Sequence, residues 1–318
     1  MNWKTLLGLI KDTYSEWSED KAPRLGAALA YYTVFSLAPL LIIAIGIAGL
    51  VFGKEAAQGE IIGQVEDTIG APAGKAIQDM LKHSYTSGES IWATVVGVVV
   101  LFFGASGVFV QLQDALNAVW RVTPKPGRGW METIRERFLS FAAVLGIGFL
   151  LLVSLIISAA LSALNRFLTP AALPGGVYLW QALNILVSLG FITLLFALMF
   201  KVLPDVRIAW RNVWVGALVT AVLFTVGKYL IGLYLGRSST ASAFGAAGSL
   251  VVILVGVYYS AQILLFGAEF TRVYACRHGA CIEPKDYAMA VTPEARIRQG
   301  LPPRTVLDES GQPATTGR

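Results

Sequence analysis

Charge is what this chain has least of. Only 14% of its 318 residues are Asp, Glu, Lys or Arg, against 55% hydrophobic, whereas a soluble domain carries about 25% charged residues. Too few polar side chains are present to cover a water-facing surface, which excludes an ordinary soluble globule. Histidine and cysteine are also scarce, at two each. Two cysteines, Cys276 and Cys281, define no disulfide framework. The run Cys276-x-His278-x-x-Cys281 lacks the second ligand pair a metal site needs, so it reads as free thiols beyond a helix. The other histidine, His83, falls on the opposite side of the membrane in the topology below, so the two cannot share an acid–base or metal site. No phosphate-binding loop, dinucleotide fingerprint or Gly-x-Ser-x-Gly elbow is present. The sequence therefore predicts a non-enzyme with no catalytic residues, no metal, no cofactor and no nucleic-acid partner. The net charge of +5 would suggest nucleic acid in a soluble chain, but in a membrane protein the placement of the charges decides. No cleavage site follows the short apolar stretch 6–10, so no removable signal peptide is expected.

Long uncharged runs are what the chain does have. A spanning helix needs about 20 mostly apolar residues. Uncharged runs extend over 29 positions between Arg24 and Lys54, 24 between Glu89 and Asp114, and 28 between Arg137 and Arg166. Two more cover 34 positions between Arg166 and Lys201, where Pro170 and Pro174 delay the helix to about Val177, and 31 between Arg237 and Glu269. The window 212–236 holds one charge, Lys228. The expected fold is all-α, a polytopic membrane protein of six transmembrane helices. Of the 25 Lys and Arg, 19 fall on the side of the two ends, among them Lys125, Lys201 and Arg211, and 5 on the other, with Lys228 within a span. By the positive-inside rule both termini are cytoplasmic, in a bacterial inner membrane.

Three parts lie outside the predicted spans. In segment 1–23, Trp3, Leu6, Leu7, Ile10, Tyr14 and Trp17 share one helical face, which suits an amphipathic helix in the cytoplasmic interface or one packed on the protein itself. The six-helix domain, 24–275, contains an outer loop at 54–90. There Ile61, Ile62, Val65 and Ile69 suggest one short helix, and Ala73, Ala76, Ile77, Met80 and Leu81 a second. The loop is either a cap over the outer face or a solvated hairpin. The tail, 276–318, is rich in Pro and charge and is expected to be mostly disordered beyond a short helix near 293–299.

The first span reads Ala27-Ala28-Leu29-Ala30-Tyr31-Tyr32 through Ser36-Leu37-Ala38-Pro39-Leu40. The second ends Gln111-Leu112-Gln113-Asp114-Ala115-Leu116-Asn117-Ala118-Val119-Trp120. Leu203-Pro204-Asp205-Val206 follows the fourth span, and the last carries Phe244-Gly245-Ala246-Ala247-Gly248-Ser249, Tyr258-Tyr259-Ser260-Ala261-Gln262 and Gly267-Ala268-Glu269. In this order and spacing the motifs resemble the YihY/BrkB family of bacterial inner-membrane proteins over about residues 1–280. The resemblance implies six spans with cytoplasmic ends and little biochemistry. Members have carried the labels "ribonuclease BN" and "virulence factor", and some relatives are suspected of moving lipids across the inner membrane.

Candidate functional residues are intramembrane. Pro39 removes a backbone hydrogen bond and is expected to kink the first span, either as packing or beside a binding site. The second and sixth spans carry many small residues, a sign of close helix packing or of a sliding surface. Lys228 and Glu269 differ in depth by roughly 20 Å at 1.5 Å per residue, so Lys228 is expected to snorkel rather than pair with Glu269. Glu269 sits level with Arg24, Gln111, Asp114 and Arg272 in an inner polar layer, a head-group-sized site or an ordinary charged helix end. Glu269 is expected to face inward and pair with Arg24 or with a donor on span two, closing the cytoplasmic side of a cavity. The leading function is a transporter or lipid translocator with membrane lipids as partners; the rival is a non-transporting scaffold for envelope proteins. Protein partners and oligomeric state are not legible.

Overall fold

The computed structural model describes residues 3–69, 74–75, 77–79, 107–126, 176–237, 248–278, 283–298 and 301. Most of the predicted second span, all of the third, and the outer loop around His83 lie outside them, as does Cys281.

Helix α1 (Trp3–Glu19) leads into α2 (Ala22–Phe52) through Lys21, whose left-handed backbone at φ 51° turns the chain. Pro23 sits in the first turn of α2, where its missing N–H is unneeded. Helix α2 runs unbroken through Pro39 and ends at Gly53, whose φ of 84° suits glycine and whose N–H donates to the Gly49 carbonyl at 3.0 Å. Helix α3 (Lys54–Ile69) is the first predicted outer-loop helix; it folds back on α2 and touches α6 and α7. Helix α4 (residues 107–120) ends the second predicted span and passes into strand β1 (Val122–Pro124). Then come α5 (Gly176–Val202), β2 (Val206–Arg207), α6 (Trp210–Arg237) and α7 (Gly248–Arg277).

Three described helices are long and apolar enough to cross a membrane, in stretches Ile185–Val202, Trp210–Ile231 and Leu250–Arg277. They correspond to the fourth, fifth and sixth predicted spans. Helix α6 packs between α5 and α7, and α7 also packs on α2. The core runs through Leu116, Val119, Trp120, Phe200, Ala217, Leu265 and Ala268. Outward surfaces stay apolar: Phe35, Leu186, Val226, Tyr229 and Leu254 are all exposed. A water-soluble protein rarely leaves so many large apolar side chains uncovered, and lipid is their natural solvent.

Bare backbone brings α6 and α7 together. A Cβ on Gly216 would lie 1.8 Å from Thr271 Oγ1, and one on Gly267 would lie 1.9 Å from Thr220 Oγ1. Each glycine thus receives a threonine of the other helix, and each hydroxyl donates to its own helix at i−4, Thr220 to the Gly216 carbonyl and Thr271 to the Gly267 carbonyl, both at 2.7 Å. These small-residue contacts are close packing of the ordinary membrane kind.

The tail corrects one expectation. Beyond α7 come β3 (Glu283–Pro284), β4 (Ala288–Ala290) and α8 (Pro293–Arg298). Strand β4 pairs antiparallel with β1, Val122 opposite Ala290, and β3 with β2, Arg207 opposite Glu283. Composition suggested disorder over this stretch because it has few large apolar residues. Order comes instead from backbone pairing with two inter-helix segments that offer free edges. The short helix near 293–299 is present as α8.

Candidate functional site: a buried arginine–carboxylate lock

The last turns of α1 deliver two carboxylates, Glu16 and Asp20, to the protein side of the helix, with Leu9 and Thr13 buried along the same face. Helix α7 brings Glu269 and Arg272, i and i+3 on one face. Arg121 ends α4 in a left-handed turn at φ 56°. Its side chain turns toward α1, while its carbonyl accepts from the Val291 N–H of the tail at 2.9 Å. The tail adds Arg296 from α8.

Six charges meet there. Arg272 donates to Glu269 Oε2 and to Glu16 Oε2, both at 2.7 Å, and lies 3.5 Å from Asp20. Arg121 donates to Asp20 Oδ2 at 3.1 Å and also pairs with Glu16. Arg296 donates to Asp20 Oδ1 at 2.7 Å. Three carboxylates face three guanidiniums, so the cluster is formally neutral. Glu269 is fully buried at 0% exposure, and Glu16, Asp20, Arg272 and Arg296 are nearly so. Burial, and then the neighbouring Arg272, push the Arg121 guanidinium below its ordinary value, while Asp20 pulls it back up. Such a cluster is stable only when every member keeps its partner, since taking charges from water costs several kcal/mol per ion.

Oxygens of Glu16, Asp20 and Glu269 lie within 4.8 Å of one another, as metal ligands would. The arginines already occupy the space and the charge. A cation bridging Glu16 and Glu269 would have to displace an Arg272 nitrogen 2.7 Å from both. The geometry is that of a salt-bridge lock across four chain segments.

The candidate residues separate. Glu269 faces inward as expected, but its partner is Arg272 on its own helix. Arg24 is exposed at the start of α2 and takes no part among the described ion pairs; it lies on the outward side, while the lock forms on the side facing α1. Gln111 is half-buried and outside the lock, and Asp114 is exposed at the mouth of a 160 Å³ cavity shared with Asp20, Arg121 and Arg296. Lys228 is half-buried, next to Gly227, which packs on Ile263 and Tyr259 of α7. That register leaves Lys228 roughly 10 Å or more from Glu269 along the helix axis. Pro39 lies within α2, far along the chain from the lock. His278 Nδ1 contacts the Tyr274 carbonyl at 2.8 Å, closing the end of α7, and Cys276 is exposed beside it.

A second cluster centres on Asp205 of the Leu203-Pro204-Asp205-Val206 run, only 1% exposed. Its carboxylate accepts from Asn117 Nδ2 at 2.9 Å, Gln113 Nε2 at 3.2 Å and the Tyr287 hydroxyl at 3.2 Å. Its backbone N–H donates to Asn117 Oδ1 at 2.8 Å, and its carbonyl accepts from the Lys285 N–H at 2.9 Å. Burial lowers the Lys285 ammonium from its usual value, with Asp205 opposing. The sequence points to Gln111 and Asp114 on α4; the residues that α4 brings to Asp205 are Gln113 and Asn117, one turn apart on the neighbouring face. Glu16, Asp20, Arg121 and Arg296 were also missed. One signal pointed to them: a pair of acids at the end of an apolar-faced helix, just before a span on a side rich in basic residues.

The family described as Virulence factor BrkB matches residues 13–290. A UPF0761 membrane protein of Pseudomonas aeruginosa (strain LESB58) is 32% identical over 252 residues, covering 78% of this chain and 58% of the relative. A UPF0761 membrane protein of Azotobacter vinelandii is 28% identical over 258 residues, 80% of this chain and 60% of its own length. One of Tolumonas auensis is 29% identical over 261 residues, covering 79% of this chain and 80% of the relative. The chain thus spans about three fifths of the Pseudomonas and Azotobacter proteins. No solved structure matches it.

Proposed function

The chain belongs to the Virulence factor BrkB family of membrane proteins, and from that premise we propose that it is a multi-pass bacterial inner-membrane transporter or lipid translocator. In this reading it has six spans and cytoplasmic ends, it is not an enzyme, and the arginine–carboxylate lock closes its cytoplasmic side. The observation that carries the reading is Glu269, fully buried near the end of an apolar spanning helix and tied through Arg272 to Glu16 of α1. A buried ionisable group in a span is expensive unless it is used, and such groups mark pathways and gates. Releasing Arg272 from Glu16 would leave Arg277–Asp12 as the ion pair between α7 and α1 among the described residues.

The test is reconstitution in vesicles containing fluorescent phospholipids, with flip-flop read by quenching of the outer leaflet. Wild-type protein should accelerate exchange, and Glu269→Gln, which keeps an amide oxygen to accept from Arg272, should destabilise less than Arg272→Leu while changing the rate several-fold. No acceleration for any head group, together with no uptake of soluble solutes, would overturn transport. Topology is tested separately with single cysteines at Lys125 and Arg207, both exposed, in place of Cys276 and Cys281. Reaction with an impermeant reagent in intact cells would overturn the cytoplasmic assignment.

The scaffold reading is favoured by a different observation. Buried apolar residues continue without a break from Leu29 of α2 to Ala268 of α7, and the tail strands seal the inter-helix segments beneath them. Inactive vesicles with fully folded protein would select this reading.

A further inference from the structure

Helix α1 has three faces at about 100° per residue. Leu9, Thr13, Glu16 and Asp20 point into the protein and are buried. One flank is polar: Asp12 pairs with Arg277, and Ser15 donates to Glu19 at 3.1 Å. The other flank is apolar, and Leu7, Ile10 and Tyr14 are 48%, 44% and 61% exposed there. An ordinary amphipathic helix packs its apolar face inward. This one buries Glu16 beside Leu9 and Thr13 and leaves a tyrosine and two aliphatic side chains outside.

The level of that flank is fixed by the neighbouring helices. Gly216 of α6 abuts Thr271 of α7, so Trp214 and Trp210, both exposed, stand level with about residues 273 and 277 of α7. Arg277 reaches Asp12 and comes within 3.5 Å of the Cβ position of Gly8, while Arg272 reaches Glu16. The exposed flank of α1 therefore lies at the height of the two tryptophans, where an aromatic belt meets the lipid head groups. Exposed Lys4 and Lys11 border the apolar flank, as snorkelling lysines do beside an interfacial helix.

We propose that α1 docks on the cytoplasmic leaflet, with Leu7, Ile10 and Tyr14 at the acyl boundary and Lys4 and Lys11 on anionic head groups. The inference rests on the cytoplasmic assignment of this end of the bundle. The same helix carries Glu16 and Asp20 on its opposite side, so leaflet attachment holds one half of the lock in place. Separating α1 from the bundle would leave Arg121, Arg272 and Arg296 without two of their three carboxylates.

The experiment uses the full chain in nanodiscs, with Cys276 and Cys281 replaced by serine and a nitroxide attached at Ile10→Cys, Tyr14→Cys or Ser15→Cys. With phosphatidylglycerol present, labels at 10 and 14 should favour oxygen over a nickel chelate several-fold more than the label at 15. Lys4→Gln with Lys11→Gln, or a wholly zwitterionic disc, should cut that difference. Equal accessibility at all three positions would overturn the proposal. So would labels at 10 and 14 shielded from both reagents, the sign of a protein covering the flank. A depth unaffected by lipid charge and by the lysine substitutions would overturn the anionic partner. None of these readouts depends on transport, so failure here is distinguishable from failure of the transport reading, and the cysteine labelling above reports the topology independently.

Discussion

Within α7 the chain passes from one kind of cohesion to another. Around Gly267 the helix is held to α6 by glycine and threonine, with no charge involved. Two and five residues further on, Glu269 and Arg272 belong to a six-charge cluster that recruits α1, the α4 end and the tail. The spanning region coheres by close approach of small residues, because lipid offers no hydrophobic drive for helices to associate. The cap coheres by ion pairs and short strands that join segments far apart in the chain. The first kind tolerates change wherever volume is kept. The second fails as a unit when one member goes.

The largest effect should follow from breaking the cap at its centre. Arg272→Leu leaves Glu269 and Glu16 short of their shared partner in a buried site, a change that costs about 3–5 kcal/mol. Thermal unfolding of the detergent-purified protein should show a large loss of stability and of monodisperse material. A variant that unfolds like wild type would mean that the cluster is solvated and that the two regions do not differ in this way.

A smaller effect is expected within the spans. Gly267→Ala places a methyl against Thr220 and should cost about 1–3 kcal/mol by overpacking. The double variant Gly267→Ala with Thr220→Ala should recover part of that loss, because the hydroxyl and methyl of Thr220 are removed while its Cβ stays 2.7 Å from the added methyl. Gly59→Ala in α3, where a Cβ would meet nothing within 4 Å, is the control and should raise the unfolding midpoint slightly, through the helix propensity of alanine alone. Failure of the double variant to recover would show that the α6–α7 contact is not set by this packing.

Asp205→Ala tests the second latch. Asn117, Gln113 and Tyr287 each lose a hydrogen-bond acceptor, and the loss at the buried Asn117 amide is worth about 1–3 kcal/mol. The tail, rather than the spans, should loosen, and limited proteolysis should cut faster within 283–298. Cleavage unchanged from wild type would show that the paired strands alone hold the tail.

What could be read in the sequence follows the same division. The uncharged run before Lys201, the window holding Lys228 and the run before Glu269 announce α5, α6 and α7, because a spanning helix writes its whole requirement into consecutive residues. The shared face of Trp3, Leu6, Leu7, Ile10, Tyr14 and Trp17 in α1 is legible from spacing within one helix, whereas the inward face of Glu269 is an expectation from its depth. Arg296 and Asp20 lie 276 positions apart and Arg272 and Glu16 lie 256 apart, and no local pattern couples such residues. The tail was misjudged for a related reason: its order comes from edges supplied by β1 and β2, which its own composition does not contain. Asp205 was visible as part of a short motif, but its role needed Asn117 and Tyr287 brought to it by the fold.

The smallest effect sharpens the contrast, because it concerns an ion pair of ideal form in the wrong place. Arg207 Nη2 contacts both carboxylate oxygens of Asp286 at 2.8 Å. On geometry alone this pair looks as strong as the Arg272–Glu269 contact. Yet the two side chains are 58% and 87% exposed, so water competes for both charges and the unpaired state is well solvated. Asp286→Asn should therefore change the unfolding midpoint by no more than an exposed pair is worth, about 0.2–1 kcal/mol, and less as salt rises. The strand pairing of Arg207 with Glu283 would remain, since it uses backbone groups. Equal losses for Asp286→Asn and Arg272→Leu would mean that charge pairing as such holds the cap. A loss confined to Arg272→Leu assigns the cohesion to burial, which makes each partner indispensable to the others.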